Sequence, residues 1–190
     1  VQQLEKYGAS VIEQTGSVEA WDKKQLPIRN IIGAFFPEKR KRIMLCAHWD
    51  CRPWADNDPD PKNHYTPVDG ANDGASGVGV LLEIARQIQT TQPTLGIDII
   101  FFDVEDYGIP QFEENRTNSD ESWCLGSSYW AQMPHVPNYH ARFGILLDMV
   151  GGKEATFFQE GYSLHYAPAI VQKVWDRAHN AGHGKFFPKQ

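Results

Sequence analysis

Residues 96–108 read GIDIIFFDVEDYG. From Ile97 to Phe102 the run is apolar apart from Asp98, and its length and its bounding glycine and acids predict a buried strand over 96–104. The strand ends in Asp103-Val104-Glu105-Asp106, three carboxylates within four positions. Crowded carboxylates repel one another, and burial raises the cost of their charge. Solvent, a buried cation or a metal has to offset that cost, and the rest of the chain decides among the three.

Outward from this strand the pattern alternates. Toward the N-terminus, 78–88 carries apolar residues at helical spacing, and 43–46 is a compact apolar strand running into Ala47-His48-Trp49-Asp50. Residues 52–69 (RPWADNDPDPKNHYTPVD) are too rich in Pro, Asp and Asn for regular structure. Before them, 10–21 and 26–36 flank the polar turn Asp22-Lys23-Lys24-Gln25 and read as a β-hairpin, and 1–7 as a short helix stopped by Gly8. Toward the C-terminus come a polar loop over 109–122, a helix over 123–133, strands over 143–150 and 155–159, and a helix over 167–181. Strands alternating with helices predict an α/β fold, a three-layer sandwich around a mixed, largely parallel sheet with the hairpin at one edge.

The bulk numbers narrow the function. The chain has 190 residues, 41% hydrophobic and 22% charged, which suits one globular domain, 1–190, and excludes a disordered chain. A net charge of −6 argues against nucleic acid or an anionic membrane as partner. No apolar stretch approaches the ~20 residues of a transmembrane span. Cys46, Cys51 and Cys124 form no metal-binding or redox pattern.

Four strand or loop ends carry acids or a histidine: His48 and Asp50, Asp73 in GANDGASG (70–77), Glu105 and Asp106, and Asp148 in ILLDMVGG (145–152). If the strands are parallel, their carboxyl ends bring all four to one rim, where open α/β sheets bind ligands. Carboxylates with an imidazole and no thiolate suit a catalytic zinc, whereas calcium would need a loop denser in oxygen ligands. Residues i and i+2 of a strand share a side, so Asp50 is expected to accept a ring N–H of His48 and fix its tautomer. Asp148, within an apolar strand, is expected to be buried and so to require a partner. His64, His135, His140, His165, His179 and His183 are expected to play no part.

Taken together, HWD (48–50), GANDGASG (70–77), FFDVED (101–106) and LLDMVGG (146–152) resemble, in order and spacing, the zinc aminopeptidase-like clan and its glutaminyl cyclases. HWDCRPWADNDPDP and residues 70–86 are similar to bacterial glutaminyl cyclases of the animal type. The resemblance implies that Asp73 and Asp106 ligate zinc, that Glu105 is the general acid and base, and that Asp50 supports His48 from behind. In aminopeptidases His48 and Asp148 would hold a second zinc; in cyclases they would be hydrogen-bonding groups about a single one. Trp49, Trp54 and Trp123 would wall the substrate pocket. The animal enzymes' disulfide cysteines fall at Ala47 and Val78, so that bridge is absent. A further zinc-ligand His and another active-site Asp of the family would lie beyond Gln190, so a domain truncated at both ends, and inactive alone, is expected.

The implied reaction converts N-terminal glutaminyl residues of peptides or proteins to pyroglutamyl with loss of ammonia, using one zinc. The alternative is a two-zinc aminopeptidase. A periplasmic or exported location is implied by the resemblance only.

Overall fold

The computed structural model describes residues 1–117 and 119–189. They fall into two compact units, Val1–Met149 and Val150–Gln190.

The first unit is built on a five-stranded sheet. Its strands are β1 (Ser10–Glu19), β2 (Gln25–Phe35), β3 (Arg42–His48), β4 (Gly96–Phe102) and β5 (Gly144–Leu146), in the order β1-β2-β4-β3-β5. The hairpin β1–β2 is antiparallel and joins β4 antiparallel, while β3 runs parallel to both β4 and β5. The sheet is therefore mixed, with the hairpin at one margin as its sequence predicts. The register sets His48 level with Phe102, and the ladder is extended by the Trp49 N–H donating to Phe102 O and the Leu147 N–H donating to Cys46 O. Three parallel strands thus end together at one rim.

Each face of the sheet is covered, which gives the three layers. β4 alternates: Ile97, Ile99 and Phe101 pack with Leu81, Ala85 and Ile88 of α2 (Ala75–Thr91) and with Leu4 of α1 (Gln2–Lys6). Ile100 and Phe102 face the other way, with Ile32, Cys46 and Trp130 of α3 (Leu125–Gln132). Asp98 shares that second face and is fully buried. It is held by a fork from Arg42 (Nε–Oδ2 2.7 Å, Nη2–Oδ1 2.5 Å) and by the Tyr139 hydroxyl at 2.9 Å. The one acid inside the apolar run is thus matched within the core.

The second unit holds α4 (Gly161–Tyr166) and α5 (Pro168–Asn180). Glu160 caps α4, accepting the N–H groups of Tyr162 and Ser163 at 2.7 Å each. Proline at the first position of α5 suits a helix start, where its missing N–H leaves no bond unmade.

Several expected boundaries move. Helix α2 begins three residues earlier and ends three later than its apolar spacing predicts. The strand predicted over 143–150 is only Gly144–Leu146, and residues 155–159 form no strand. Helix α4 has no sequence-based counterpart. Its start is set by the Glu160 cap, a signal that hydrophobic periodicity does not carry.

Candidate active site

Beyond the rim, the backbone at the site makes three tight turns. Val104 lies at φ 50°, Met149 at φ 47° and Gly74 at φ 86°. The first two are not glycine, and a β-branched residue in this region is a strained one. Each turn adjoins an acid: Glu105 follows Val104, Asp148 precedes Met149, and Asp73 precedes Gly74. Only glycine fits at 74, because a Cβ there would come within 2.8 Å of Asp50 O and 3.1 Å of the His48 ring. That is the physical content of GANDGAS.

The turn after β4 is over-determined by hydrogen bonds. Asn30 Oδ1 accepts the Asp103 N–H at 2.9 Å, and Asp103 itself accepts the N–H groups of Arg29 (2.8 Å) and Val104 (3.0 Å). Asp50 Oδ1 accepts the Glu105 N–H at 3.1 Å and Oδ2 that of Asp106 at 3.0 Å. The Leu125 and Cys124 N–H groups donate to Val104 O and Glu105 O. Of the three carboxylates in FFDVEDYG, Asp103 is therefore a turn-former, and two remain for chemistry.

His48, at the end of β3, is the centre of the cluster, with its side chain only 2% exposed. Its Nε2 lies 2.9 Å from Asp73 Oδ1 and 3.4 Å from Asp148 Oδ1; Nδ1 lies 3.4 Å from Asp50 Oδ1 and 3.8 Å from Glu105 Oε2. Neither buried ring nitrogen meets any of these oxygens in hydrogen-bond geometry. One donor atom each from His48, Asp73 and Asp148 lies within 4.8 Å of the others. An orphaned, buried imidazole facing two carboxylates at that spacing fits a divalent ion, and the nitrogen–oxygen donor set suits zinc.

Charges at the site are strongly perturbed in the metal-free chain. Burial works against a charged His48, but Asp148, Asp50 and Glu105 outweigh it and push its pKa up to about 11. Burial pushes the Asp106 carboxyl up to about 7, with Asp73 and Glu105 adding to the effect and Arg52 opposing it. Burial likewise raises Glu105, although His48 and the Cys124 thiol pull it down.

The predicted site residues His48, Asp50, Asp73, Glu105, Asp106 and Asp148 do converge, with three qualifications. Asp148 is 36% exposed and lies past a short edge strand, so the burial that its apolar neighbours suggest does not occur. Asp50 spends its carboxylate on two backbone N–H groups, and its contact with His48 is the looser one. Asp106 stands outside the His48–Asp73–Asp148 trio, with Oδ1 turned to Arg52 Nη1 at 3.3 Å. Among the tryptophans, Trp49 is 41% exposed and donates to Arg29 O, while Trp54 and Trp123 lie 5.6 and 4.5 Å from the Arg52 guanidinium carbon. A separate cavity of about 490 Å³, lined by Glu19, Trp21, Ile109, Glu113 and Glu121 among others, includes none of the clustered acids. Among the described residues no helix is long and apolar enough to cross a membrane.

Sequence reading missed Arg52, Asp56 and Cys124. Cys124 Sγ lies 3.4 Å from Glu105 Oε1. Arg52 and Asp56 form an i, i+4 pair hidden in the loop of 52–69.

Solved structures extend the picture. The chain is 59% identical to the glutaminyl cyclase of Bacteroides thetaiotaomicron, solved with N-acetylhistamine, over 100% of this chain and 64% of that one, with a TM-score of 0.97. It is also 59% identical to a leucine aminopeptidase precursor from the same organism, over 100% of this chain and 65% of that one, again with a TM-score of 0.97. With the glutaminyl cyclase of Tannerella forsythia it shares 54% identity over 99% of this chain and 64% of that one, at a TM-score of 0.93. The chain thus spans just under two thirds of each of these proteins. The family model described as peptidase family M28 matches residues 30–189, running through both compact units. By that match the chain belongs to peptidase family M28.

Proposed function

We propose that this protein is a bacterial, exported or periplasmic, zinc-dependent glutaminyl cyclase that acts on peptide and protein N-termini. The observation that carries the reading is that glutaminyl cyclases from two organisms match nearly the whole chain, at 59% and 54% identity.

The reaction needs one proton moved and one carbonyl activated. The α-nitrogen of an N-terminal glutamine bonds to its own side-chain amide carbon, the bond from that carbon to the amide nitrogen breaks, and ammonia leaves with the proton that the α-nitrogen gave up. Amine and amide belong to one residue, so the site has only to fold the substrate into a reactive ring. Asp73 and Asp106 would hold the zinc, with His48 and Asp148 as hydrogen-bonding groups beside them. Zinc, when bound, supplies Lewis-acid polarisation of the amide carbonyl. Glu105 carries the proton. Its carboxyl is shifted toward the range where it both accepts and returns one, and the Asp50 clamp holds its backbone in place. Trp49, the exposed member of the three tryptophans, supplies an apolar wall.

The second reading, a two-zinc aminopeptidase, is favoured by the His48–Asp73–Asp148 trio, which has ligand spacing of its own. The intact protein distinguishes them. A peptide beginning with glutamine should release ammonia and lose no residue, a peptide beginning with leucine should stay whole, and about one zinc should be bound per chain. Free leucine and two zincs would overturn the cyclase reading in favour of the peptidase.

A further inference from the structure

Arg52 lies behind the proposed zinc site rather than in it. Its side chain is 11% exposed, and its guanidinium forks onto Asp56, Nε to Oδ1 at 2.7 Å and Nη2 to Oδ2 at 2.6 Å. The remaining nitrogen, Nη1, donates to Asp106 O at 3.0 Å and contacts Asp106 Oδ1 at 3.3 Å and Gly108 O at 3.5 Å. The ring of Trp123 covers the guanidinium, 4.5 Å from its carbon. Asp56, with its side chain 1% exposed, also accepts the Gln111 N–H at 2.8 Å. The fork, the two carbonyl contacts and the Trp123 ring thus hold the guanidinium from several sides.

The charge balance matters as much as the geometry. Asp56 already matches Arg52 at two short, parallel hydrogen bonds, the strong bidentate arrangement. What is left for Asp106 is one longer contact, too weak to draw its carboxylate away from a cation. That contact still fixes which oxygen faces the protein. It also anchors the Asp106 carbonyl, so side chain and backbone are held by one rigid plane.

We propose that Arg52, neutralised by Asp56, is a positioning residue that sets the carboxylate plane of Asp106 and leaves Oδ2 free for a divalent cation. The inference rests on the reading of Asp106 as a zinc ligand. Partners of this kind behind a ligand commonly contribute ~10–100-fold in metal affinity.

The test uses the intact protein, zinc titrated against a chromophoric chelator, and the unfolding midpoint of the metal-free form. Replacing the pair together, Arg52→Met with Asp56→Leu, removes both charges of the buried fork at once, and such exchanges are often neutral for folding. The double variant should keep a near wild-type midpoint and lose about 10–100-fold in zinc affinity, with an altered visible spectrum when loaded with cobalt. Arg52→Lys keeps the charge but loses the fork, and should weaken zinc in the same direction. Wild-type zinc affinity in either variant would overturn the proposal and leave the zinc site standing. Failure of the wild-type protein to bind zinc would overturn the zinc site and the proposal with it.

Discussion

Asp50 grips Glu105 by the main chain: its Oδ1 accepts the Glu105 N–H at 3.1 Å, while its other oxygen takes the N–H of Asp106. Burial raises the cost of the Asp50 charge, but His48 and these two N–H groups outweigh it and hold the carboxyl below its usual range. An amide side chain has one acceptor where two are used. Asp50→Asn should therefore lower kcat by about 10–100-fold, as loss of a supporting hydrogen bond does, with KM little changed. Ammonia release from a glutamine-initiated peptide measures both, and a change confined to KM would contradict the clamp.

Zinc binding should depend on pH through Asp106. In the metal-free chain its carboxyl is pushed up to about 7. The proton held below that pH must leave before a cation is bound, so affinity should fall about tenfold per unit on the acid side. Zinc titrations on both sides of neutrality check this, and in Asp106→Asn that part of the slope should vanish.

Stability of the metal-free protein should show the opposite partner. The folded pKa of His48, about 11, lies above its ordinary value of 6.5. Its contribution is therefore full below the ordinary value and is lost as pH rises through about 11. Urea midpoints should decline over that window, and more steeply in wild type than in His48→Gln.

Gly77 of α2 faces Leu147 O and Ala47, and a Cβ there would overlap both. Gly77→Ala should cost about 1–3 kcal/mol through overpacking. Leu147 precedes Asp148, so the variant should also disturb the proposed site. Urea unfolding and zinc affinity, measured together, would show the joint loss.

The thiol of Cys124 helps Glu105 hold its charge. Cys124→Ala should raise the Glu105 pKa further and move the acid limb of the kcat/KM profile to higher pH. Burial and the neighbouring Glu105 push the thiol itself up to about 12. Alkylation of Cys124 should accordingly be slow even though the residue is exposed. Rapid labelling, followed by peptide mass spectrometry, would contradict that environment.

Much of this arrangement is legible in the residue string. Strands β3 and β4 announce themselves because both faces are covered, which demands unbroken apolar runs. The acids stand out because they interrupt those runs at their ends. Asp98 interrupts a run in the middle, and nothing near it in sequence names Arg42 or Tyr139 as its partners. Asp148 misleads for the reverse reason: its apolar neighbours suggest a core strand, but β5 is a three-residue edge with Leu146 exposed. Arg52 and Asp56 sit where Pro and Asp abolish any period, so a tertiary fork there leaves no pattern to read.

The strand order gives the acids unequal freedom. Glu105 and Asp106 issue from β4, flanked by partners on both sides, and a shift there would tear two ladders. Asp148 follows β5, the outermost strand among the described residues, where movement disturbs one. The acid best able to approach or retreat from His48 is thus the marginal one. A change in the separation of His48 and Asp148 therefore disturbs the inner pair least.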